Sequence, residues 1–222
     1  YYPDTPAKAN QDVMGVLGPE DMSEDQALFA VFDGHGSTGD KCAQFTRDAL
    51  LRRLTDDLAA LGALEGGGTE VLRTHMESRM RTTFMDVNTS LHGSGSVDDS
   101  LSGTTAIVAT VVGSDICVAN VGDSRAVLFT RKGGKGDRPA LGPGGGDSVV
   151  PVPLSKDQTP YRRDERNRVK RCGARVMNMD QLEGLAPIHD NWDVTLGEEI
   201  DDDGDPPRIW DPVENYPGTA FT

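Results

Sequence analysis

The sequence has little cysteine, no long apolar run and no excess of positive charge. Its three cysteines, Cys42, Cys117 and Cys172, are far apart and lack the paired spacing of a zinc site. We therefore expect reduced thiols that pack inside an intracellular protein, cytoplasmic or nuclear. The longest apolar run, near Ala106–Gly113, is far shorter than a membrane-spanning helix, so we expect no membrane span.

The shortage of basic residues limits which partners the chain can bind. Its 222 residues include 22 Lys and Arg against 36 Asp and Glu, which gives a formal net charge of −14. A surface this acidic repels the phosphate backbone, so we expect no nucleic-acid partner. Hydrophobic residues make up 36% of the chain and there are 26 glycines, a composition typical of a globular domain rather than of a disordered chain.

The hydrophobic pattern predicts an α+β fold in which helices pack on antiparallel sheet. A short apolar run predicts a strand over Ala27–Phe32, and apolar residues at three- and four-residue spacing predict helices over about residues 40–62 and 69–91. Because only short turns separate the strands that follow, they can be joined only as antiparallel hairpins. These further strands are expected over Thr104–Val112, Ile116–Val121 and Arg125–Thr130.

The second half of the chain carries polar insertions. Gly and Pro dominate Lys132–Pro153, which predicts a solvent-exposed loop, and we treat residues 131–153 as an insertion. A charged helix is expected over about Tyr161–Cys172, with its arginines on a solvated face. The run Glu198–Asp205 has six acids in eight positions and is interpreted as a solvated insertion. It fits a calcium-binding EF-hand loop poorly, because Trp210 takes the place of the bidentate Glu.

An aspartate and a histidine stand two residues apart where the first predicted strand ends. Asp33 offers a hard oxygen ligand, and His35 offers a proton donor near neutral pH. An ordinary exposed turn explains these two residues equally well when they are taken alone. Asp123, within Asn120-Val-Gly-Asp-Ser-Arg125, is open to the same two interpretations, since it can instead cap a hairpin turn. Asp12 is a further possible carboxylate ligand.

A dinucleotide-binding loop is a competing interpretation of the same stretch. Gly34, Gly36 and Gly39 match the G-x-G-x-x-G pattern after a strand and before a helix. That site also requires a parallel sheet and an acidic residue at the tip of a second strand, about 20 residues on. Asp56 and Asp57 stand at that distance, but they lie within the predicted helix, so we disfavour this interpretation.

Seven short motifs follow one another along the chain, within Lys8–Asp12, Phe29–Gly36, Ser102–Ala106, Ala119–Ala126, Leu154–Pro160, Glu165–Val176 and Tyr216–Thr222. Taken in order, these motifs resemble the metal-dependent serine/threonine protein phosphatases of type 2C, the PPM family. Several motifs in the right order and spacing, over nearly the whole chain, argue against chance similarity. The resemblance implies a central β-sandwich of two antiparallel sheets flanked by helix pairs, with the family's C-terminal part missing from this chain.

The resemblance implies a site that holds Mn²⁺ or Mg²⁺. Asp33 would bridge two ions, with the Gly34 carbonyl as a further ligand and Asp12 contributing through the metal shell. Asp123 matches the family position that faces an additional, weaker metal. Ions placed in this way would lower the pKa of a shared water and hold it in line with the phosphorus.

The resemblance also assigns the groups that handle the substrate. His35 would protonate the departing Ser or Thr oxygen, and no phosphoenzyme is expected. In the family an Arg five residues before the first metal-binding Asp grips the phosphate. Here that position is Ala7, so the adjacent Lys8 is the candidate phosphate ligand.

The expected organisation is a partial catalytic domain over residues 1–222. Family members continue past the motif that ends at Thr222 and supply two more metal-binding aspartates. Residues of about 161–215 correspond to a variable flap beside the active site. The implied activity is protein phosphoserine and phosphothreonine hydrolysis, with phosphoproteins as substrates and other domains of a longer chain as possible neighbours. The alternative is a non-catalytic pseudophosphatase that serves as a partner-binding scaffold.

Overall fold

A four-stranded antiparallel sheet and two long helices make up the first part of the fold. The computed structural model describes residues 9–62, 69–131, 149–190, 192 and 205–220. The sheet order is β1-β2-β5-β6, and β3 and β4 form a separate short pair. The elements are β1 (Val13–Leu17), β2 (Gln26–Phe32), β3 (Gly34–His35), α1 (Gly39–Gly62), α2 (Thr69–Gly93), β4 (Gly103–Thr104), β5 (Ala106–Val112) and β6 (Asp115–Val121).

The second part of the chain adds two smaller antiparallel sheets and two helices. Strands β7 and β8 pair with each other, and the remaining strands form a sheet in the order β11-β10-β9. The α+β class expected from the sequence is confirmed. These elements are β7 (Val127–Arg131), β8 (Val149–Pro153), α3 (Arg163–Arg171), β9 (Arg175–Met177), α4 (Met179–Leu182), β10 (Arg208–Trp210) and β11 (Pro217–Thr219).

The main core lies between the four-stranded sheet and the two long helices. Successive side chains of a strand point to opposite faces, so alternate residues of β2 are buried against the helices. Leu28, Ala30 and Phe32 are buried in this way, whereas Phe29 and Val31 are exposed on the other face. Removing this apolar surface from water is the main force that fixes the sheet on the helices. Helix residues in the same cluster include Leu50, Leu54, Leu58, Met76, Met80 and Val87.

The turn after β6 does not close a hairpin, contrary to our prediction. Strand β7 pairs with β8 rather than with β6, so the turn that contains Asp123 leads from one sheet to another. Segment 154–158 lies alongside this turn, because Leu154 N–H donates to the Ala126 carbonyl at 2.9 Å and Gln158 N–H donates to the Gly122 carbonyl at 3.0 Å. These contacts between distant segments replace the local pairing that the short turn suggested.

The prediction of a loop over Lys132–Pro153 is wrong at the C-terminal end of that range. Residues 149–153 form β8, in register with β7 from Val127↔Pro153 to Arg131↔Val149. Prolines have no N–H to donate, and they are tolerated in strands at sheet edges, where one side of the backbone needs no partner. Here Pro151 and Pro153 occupy alternate positions of a two-stranded pair. Residues 132–148 lie outside the described residues.

Helix α3 is not solvated along its whole length, which corrects our prediction for its arginines. The side chain of Arg166 is only 1% exposed. Its guanidinium donates to the Pro160 carbonyl at 3.1 Å, the Tyr161 carbonyl at 2.7 Å and the Asp190 carboxylate at 3.1 Å. A buried charge is tolerated when its donors are matched in this way. Helical periodicity cannot indicate such acceptors, because they lie outside the helix.

The three cysteines are free thiols, but they are not equally buried. Cys42 is buried and Cys117 is half-buried, as expected for packing residues. Cys172 is exposed just after α3, so the packing prediction is wrong there. Within the described residues, no helix combines the length and apolar character needed to cross a bilayer. Most of the acidic run, residues 198–204, lies outside the part that the structure describes.

Candidate active site

Four chain segments meet at one end of the four-stranded sheet. Strands β1 and β5 begin at this end, and β2 and β6 finish here, because each strand is antiparallel to its neighbours. The segments that flank these strand ends are residues 9–12, 33–38, 102–105 and 122–126. Every described residue that we predicted for the site lies in one of these segments, so the topology gathers them although they are spread over more than a hundred positions.

Asp12 and Asp33 adjoin the same end of the β1–β2 ladder. The last pair of this ladder is Val13↔Phe32, so Asp12 directly precedes one partner and Asp33 directly follows the other. Both residues are exposed. The Asp12 N–H donates to the Asn10 side chain at 3.0 Å, which helps to fix the start of this segment.

Glycines let the loop after β2 pack tightly beside the segment that precedes β1. A side chain at Gly34 would bring its Cβ to 2.8 Å from the Gln11 carbonyl oxygen. Gly36 has a φ of +84°, a conformation that glycine adopts readily. Its carbonyl accepts a hydrogen bond from Gln11 Nε2 at 2.8 Å. Gln11 therefore ties the Asp12 segment to the Asp33 loop.

His35 lies within the same group of loops and is half-buried. It pairs with Gly103 in the short β3–β4 ladder. Burial lowers the pKa of His35, whereas the charge of Asp123 opposes that change and favours the protonated ring. The Asp123 turn is joined to this region by the hydrogen bond between Ser124 Oγ and Thr105 Oγ1, at 2.6 Å. The pair Gly34↔Thr104 continues the ladder and keeps the backbone around His35 extended.

The turn that presents Asp123 is held by a glutamine from a distant segment. Gly122 N–H donates to Gln158 Oε1 at 3.0 Å, and Gln158 Nε2 donates to the Asn120 carbonyl at 3.2 Å. Gly122 has a φ of +98°, which suits the tight turn. A side chain amide that binds both a donor and an acceptor of one turn fixes that turn in a single geometry.

The pKa of Asp123 is raised above its ordinary value. Desolvation is the largest cause, and the charge of Asp157 adds to it, while the backbone N–H of Asp123 and the nearby His35 act in the opposite direction. Arg125 pairs with Asp157 through two hydrogen bonds, at 2.9 Å from Nε and 2.6 Å from Nη2. The ion pair offsets much of the negative charge that Asp157 presents to the turn.

The donor set at this sheet end suits a hard divalent cation in part. Asp12 and Asp33 place two carboxylates at the same strand ends, and Mg²⁺ and Mn²⁺ prefer oxygen ligands of this kind. Among the residues that the structure describes, no three His, Cys, Asp or Glu side chains form a complete metal-binding group. Cations bound between these carboxylates would take their other ligands from water, backbone oxygens such as that of Gly34, or residues outside the described ranges.

The structure brings together five of the six predicted site residues. Asp12, Asp33, Gly34, His35 and Asp123 all lie at the same sheet end. Lys8, the predicted phosphate ligand, lies outside the described residues. The dinucleotide alternative fails on geometry. The sheet is antiparallel, and the acidic pair that it would need, at positions 56 and 57, lies inside α1.

Sequence reasoning assigned no role to three residues that position the site. Thr105 and Gln158 each contact a loop that carries a predicted site residue, and Ser124, next to Asp123, contacts Thr105. Each lies in a motif that carries the family resemblance, which was the only available signal. Their partners depend on the register of segments far apart in sequence, and local composition does not reveal that register.

Comparisons with known proteins agree with the fold and with the motifs. Residues 9–187 match the family model "Protein phosphatase 2C". The chain is 42% identical over 223 residues to probable protein phosphatase 2C 35 of Arabidopsis thaliana, covering 100% of this chain and 56% of that relative. It is 31% identical over 212 residues to probable protein phosphatase 2C 64 of Oryza sativa subsp. japonica, covering 96% and 41% of the two chains.

A solved structure supports the fold independently of sequence. The serine-threonine phosphatase 2C from Toxoplasma gondii aligns with a TM-score of 0.60 at 17% identity, over 91% of this chain and 56% of that one. The chain spans about half the length of these relatives. From the matched family model and the identity to curated relatives, the chain belongs to the protein phosphatase 2C family.

Proposed function

We propose that this chain carries the active site of a protein serine/threonine phosphatase that uses Mn²⁺ or Mg²⁺ to hydrolyse phosphoserine and phosphothreonine. The observation that carries the proposal is that Asp12 and Asp33 adjoin the last pair of the β1–β2 ladder at one sheet end, with His35 two residues after Asp33. The membership of the chain in a metal-dependent phosphatase family supports the same reading.

The acidic residues would hold the cations. Asp12, Asp33 and the Gly34 carbonyl would hold two Mn²⁺ or Mg²⁺ ions, and Asp123 would help to hold an additional, weaker ion. When bound, the cations supply an activated water and neutralise the phosphate charge. The tight contact between Gly34 and Gln11 keeps these oxygens in place, so little reorganisation is needed when cations bind.

His35 and Lys8 would serve the substrate. The imidazole of His35 would donate a proton to the serine or threonine oxygen as its bond to phosphorus breaks, so that the products are inorganic phosphate and a free hydroxyl. Burial lowers the pKa of His35, and the negative charge of Asp123 opposes that change in favour of the protonated ring that this step requires. Lys8 would bind the phosphate oxygens as a point charge.

We further propose a domain organisation and a setting for this site. Residues 1–222 belong to a single catalytic domain, with residues 131–153 as an insertion and residues of about 161–215 as a flap beside the active site. The substrates are phosphoproteins. The three free thiols support an intracellular location, cytoplasmic or nuclear.

Phosphopeptide hydrolysis by the full-length protein tests this function. We expect hydrolysis of phosphoserine and phosphothreonine peptides with Mn²⁺ or Mg²⁺, and none after chelation with EDTA. Asp33→Ala should abolish hydrolysis, and His35→Ala should lower kcat by about 10²–10⁴-fold, the usual contribution of a general acid. Asp56→Ala and His75→Ala replace exposed residues of the same types on α1 and α2, and they should retain activity.

Other results would refute the proposed function or favour the alternative. Hydrolysis that survives EDTA, or an Asp33→Ala variant as active as the wild type, would refute a metal-dependent phosphatase centred on Asp33. A wild type that folds and binds partners but hydrolyses no phosphopeptide with either ion would favour the non-catalytic scaffold instead.

A further inference from the structure

We propose that Thr105 is a positioning residue that locks the Asp33 loop to the Asp123 turn. The inference deepens the proposed function and rests on it, because it concerns the two loops that would hold the cations. Thr105 precedes β5 at the sheet end where the site lies, and it is only 1% exposed. A fully buried hydroxyl is normally hydrogen-bonded, and this one has a partner on each of the two loops.

The first partner of Thr105 is the backbone of Asp33. The Asp33 N–H donates to Thr105 Oγ1 at 3.0 Å, and the Thr105 N–H donates to the Asp33 carbonyl at 2.9 Å. These two bonds fix the peptide groups on both sides of the Asp33 Cα. They therefore set the direction in which the Asp33 side chain leaves the backbone.

The hydroxyl takes a place that a main-chain carbonyl would fill in an unbroken ladder. The β2–β5 register continues into the β3–β4 pair, and Asp33 and Thr105 are the residues opposite each other between these two ladders. Opposed residues of a hydrogen-bonded antiparallel pair exchange two main-chain bonds. Here one of the two is replaced by the threonine side chain, and the Thr105 carbonyl accepts from Thr104 Oγ1 at 2.9 Å instead.

The second partner of Thr105 is the turn that presents Asp123. Thr105 Oγ1 lies 2.6 Å from Ser124 Oγ, a hydrogen bond in which either hydroxyl can donate. The Thr105 methyl group also packs against the turn, because a Cβ built at Gly122 would lie 2.7 Å from Thr105 Cγ2. One side chain thus contacts both loops, and a displacement of either loop must be transmitted to the other or must break one of these contacts.

Threonine supplies both the hydroxyl that joins the two loops and the methyl group that packs against the turn, whereas valine and serine each supply only one of them. Valine has nearly the same shape but no hydroxyl, so Thr105→Val would leave the Asp33 N–H without its acceptor and would remove the link to Ser124. Serine keeps the hydroxyl but loses the methyl group. We therefore expect Thr105→Val to disturb the positions of the carboxylates, and Thr105→Ser to preserve most of them.

The chain offers a closely matched control in the strand that follows Thr105. Thr110 lies in β5 and is also 1% exposed. Within the described residues its hydroxyl has no hydrogen-bond partner. Thr110→Val therefore removes a buried threonine hydroxyl five residues further along the chain without breaking a hydrogen bond between described residues. A general effect of changing a buried threonine to valine would appear in both variants, and a positioning effect would appear only at Thr105.

The experiment measures two properties of the full-length protein and its variants. Hydrogen exchange followed by NMR reports whether the Asp33 amide is protected, and calorimetric titration reports Mn²⁺ affinity. We expect Thr105→Val to lose protection at the Asp33 amide and to bind Mn²⁺ about 10–100-fold more weakly, the usual effect of removing a group that orients a metal ligand. Thr105→Ser and Thr110→Val should stay close to the wild type in both measurements.

Each result has one meaning. Mn²⁺ affinity unchanged in a folded Thr105→Val variant overturns the inference and leaves the proposed function standing, and so does an equal loss of affinity in Thr110→Val. A wild type that neither binds Mn²⁺ nor hydrolyses phosphopeptides overturns the proposed function and the inference together. If Thr105→Val does not fold, Ser124→Ala provides the test, because it breaks the link from a half-buried position; Mn²⁺ affinity equal to the wild type in that variant also overturns the inference.

Discussion

The imidazole of His35 occupies the space that a side chain at position 103 would need. The two residues are antiparallel partners in the β3–β4 pair. A Cβ built on Gly103 would lie 2.8 Å from His35 Nε2 and 2.9 Å from Cε1. Glycine at position 103 is therefore a condition for the observed position of the histidine ring.

Gly103→Ala should lower phosphatase activity without unfolding the protein. The added methyl group would push the His35 ring away from its position, and a displacement of about 1 Å at a reacting group can cost up to about 100-fold in rate. We expect kcat for a phosphoserine peptide to fall by about 10–100-fold, with a melting temperature close to that of the wild type.

A second glycine provides the control for this variant. A Cβ at Gly93, at the end of α2, would have no atom within 4 Å, so Gly93→Ala should keep full activity. Wild-type kcat in a folded Gly103→Ala variant would show that catalysis does not depend on the observed place of the ring.

Gln158→Ala should destabilise the turn that carries Asp123. The substitution leaves the Gly122 N–H and the Asn120 carbonyl without the partners that the glutamine supplies at 3.0 and 3.2 Å. An unsatisfied buried donor or acceptor costs about 1–3 kcal/mol. We expect a loss of that size in the free energy of unfolding, measured by urea titration, and a shift of the Mn²⁺ activation curve to higher concentration. Gln44→Ala, on the exposed side of α1, should change neither the free energy of unfolding nor the Mn²⁺ activation curve. A Gln158→Ala variant that matches the wild type in both measurements would contradict the role of Gln158.

Local patterns in the sequence were sufficient to predict the core of this fold. The alternation of Leu28, Ala30 and Phe32 on one face of β2 and the helical spacing of Leu50, Leu54 and Leu58 depend only on neighbouring residues, and the structure confirms both. The antiparallel arrangement of β5 and β6 also followed from their short connection. Periodicity reports which face of an element is apolar, and in these elements that face is the buried one.

The site could not be predicted from local patterns alone. No pattern indicated β1, so a shared site for Asp12 and Asp33 was implied only by the family resemblance. The hairpin predicted after β6 was wrong, because the partner of β7 comes from residues 149–153, beyond the Gly/Pro-rich segment. The burial of Arg166 was missed for a similar reason, since its acceptors belong to the backbone before α3 and to Asp190. Each error concerns a contact between segments that are far apart in sequence, and local patterns do not indicate how such segments pair.

Arg166→Met should be strongly destabilising although an arginine is replaced by an apolar residue of similar length. The change removes the donors to the carbonyls of Pro160 and Tyr161 and the link to Asp190. Such losses at a buried charge cost about 2–5 kcal/mol. Chemical denaturation should show this loss. The free energy of unfolding of Arg166→Lys should lie between those of Arg166→Met and the wild type, because lysine keeps the charge but not the planar guanidinium.

The same helix supplies the control for Arg166. Arg171 is exposed near the end of α3, and Arg171→Met should change the free energy of unfolding by less than about 0.5 kcal/mol, as is usual for surface positions. Equal stabilities of Arg166→Met and Arg171→Met would contradict the structural role that we assign to the buried guanidinium.

The contribution of Asp190 to stability should disappear in acid. Its carboxylate accepts hydrogen bonds from Lys170 Nζ at 2.9 Å and Arg166 Nε at 3.1 Å. Desolvation raises the pKa of Asp190, but the hydrogen bond and charge of Lys170, together with Arg166, outweigh it and hold the pKa below the ordinary value of 3.8. A carboxyl group whose pKa is depressed by folding stabilises the protein above its unfolded pKa, and that stabilisation is lost as the pH falls through the folded pKa.

Comparison of the wild type with Asp190→Asn over a range of pH tests this dependence. Above about pH 5 the wild type should be the more stable by about 1 kcal/mol or less, because the half-exposed ion pair is screened by solvent. The difference should narrow once the pH drops below 3.8, where protonation of Asp190 in the wild type removes the charge that the variant lacks. Asp56→Asn, at an exposed position of α1, controls for the general effect of one negative charge fewer. A difference that stays constant down to pH 2, or that widens as the pH falls, would contradict a depressed pKa at Asp190 and would point to packing as the source of its contribution.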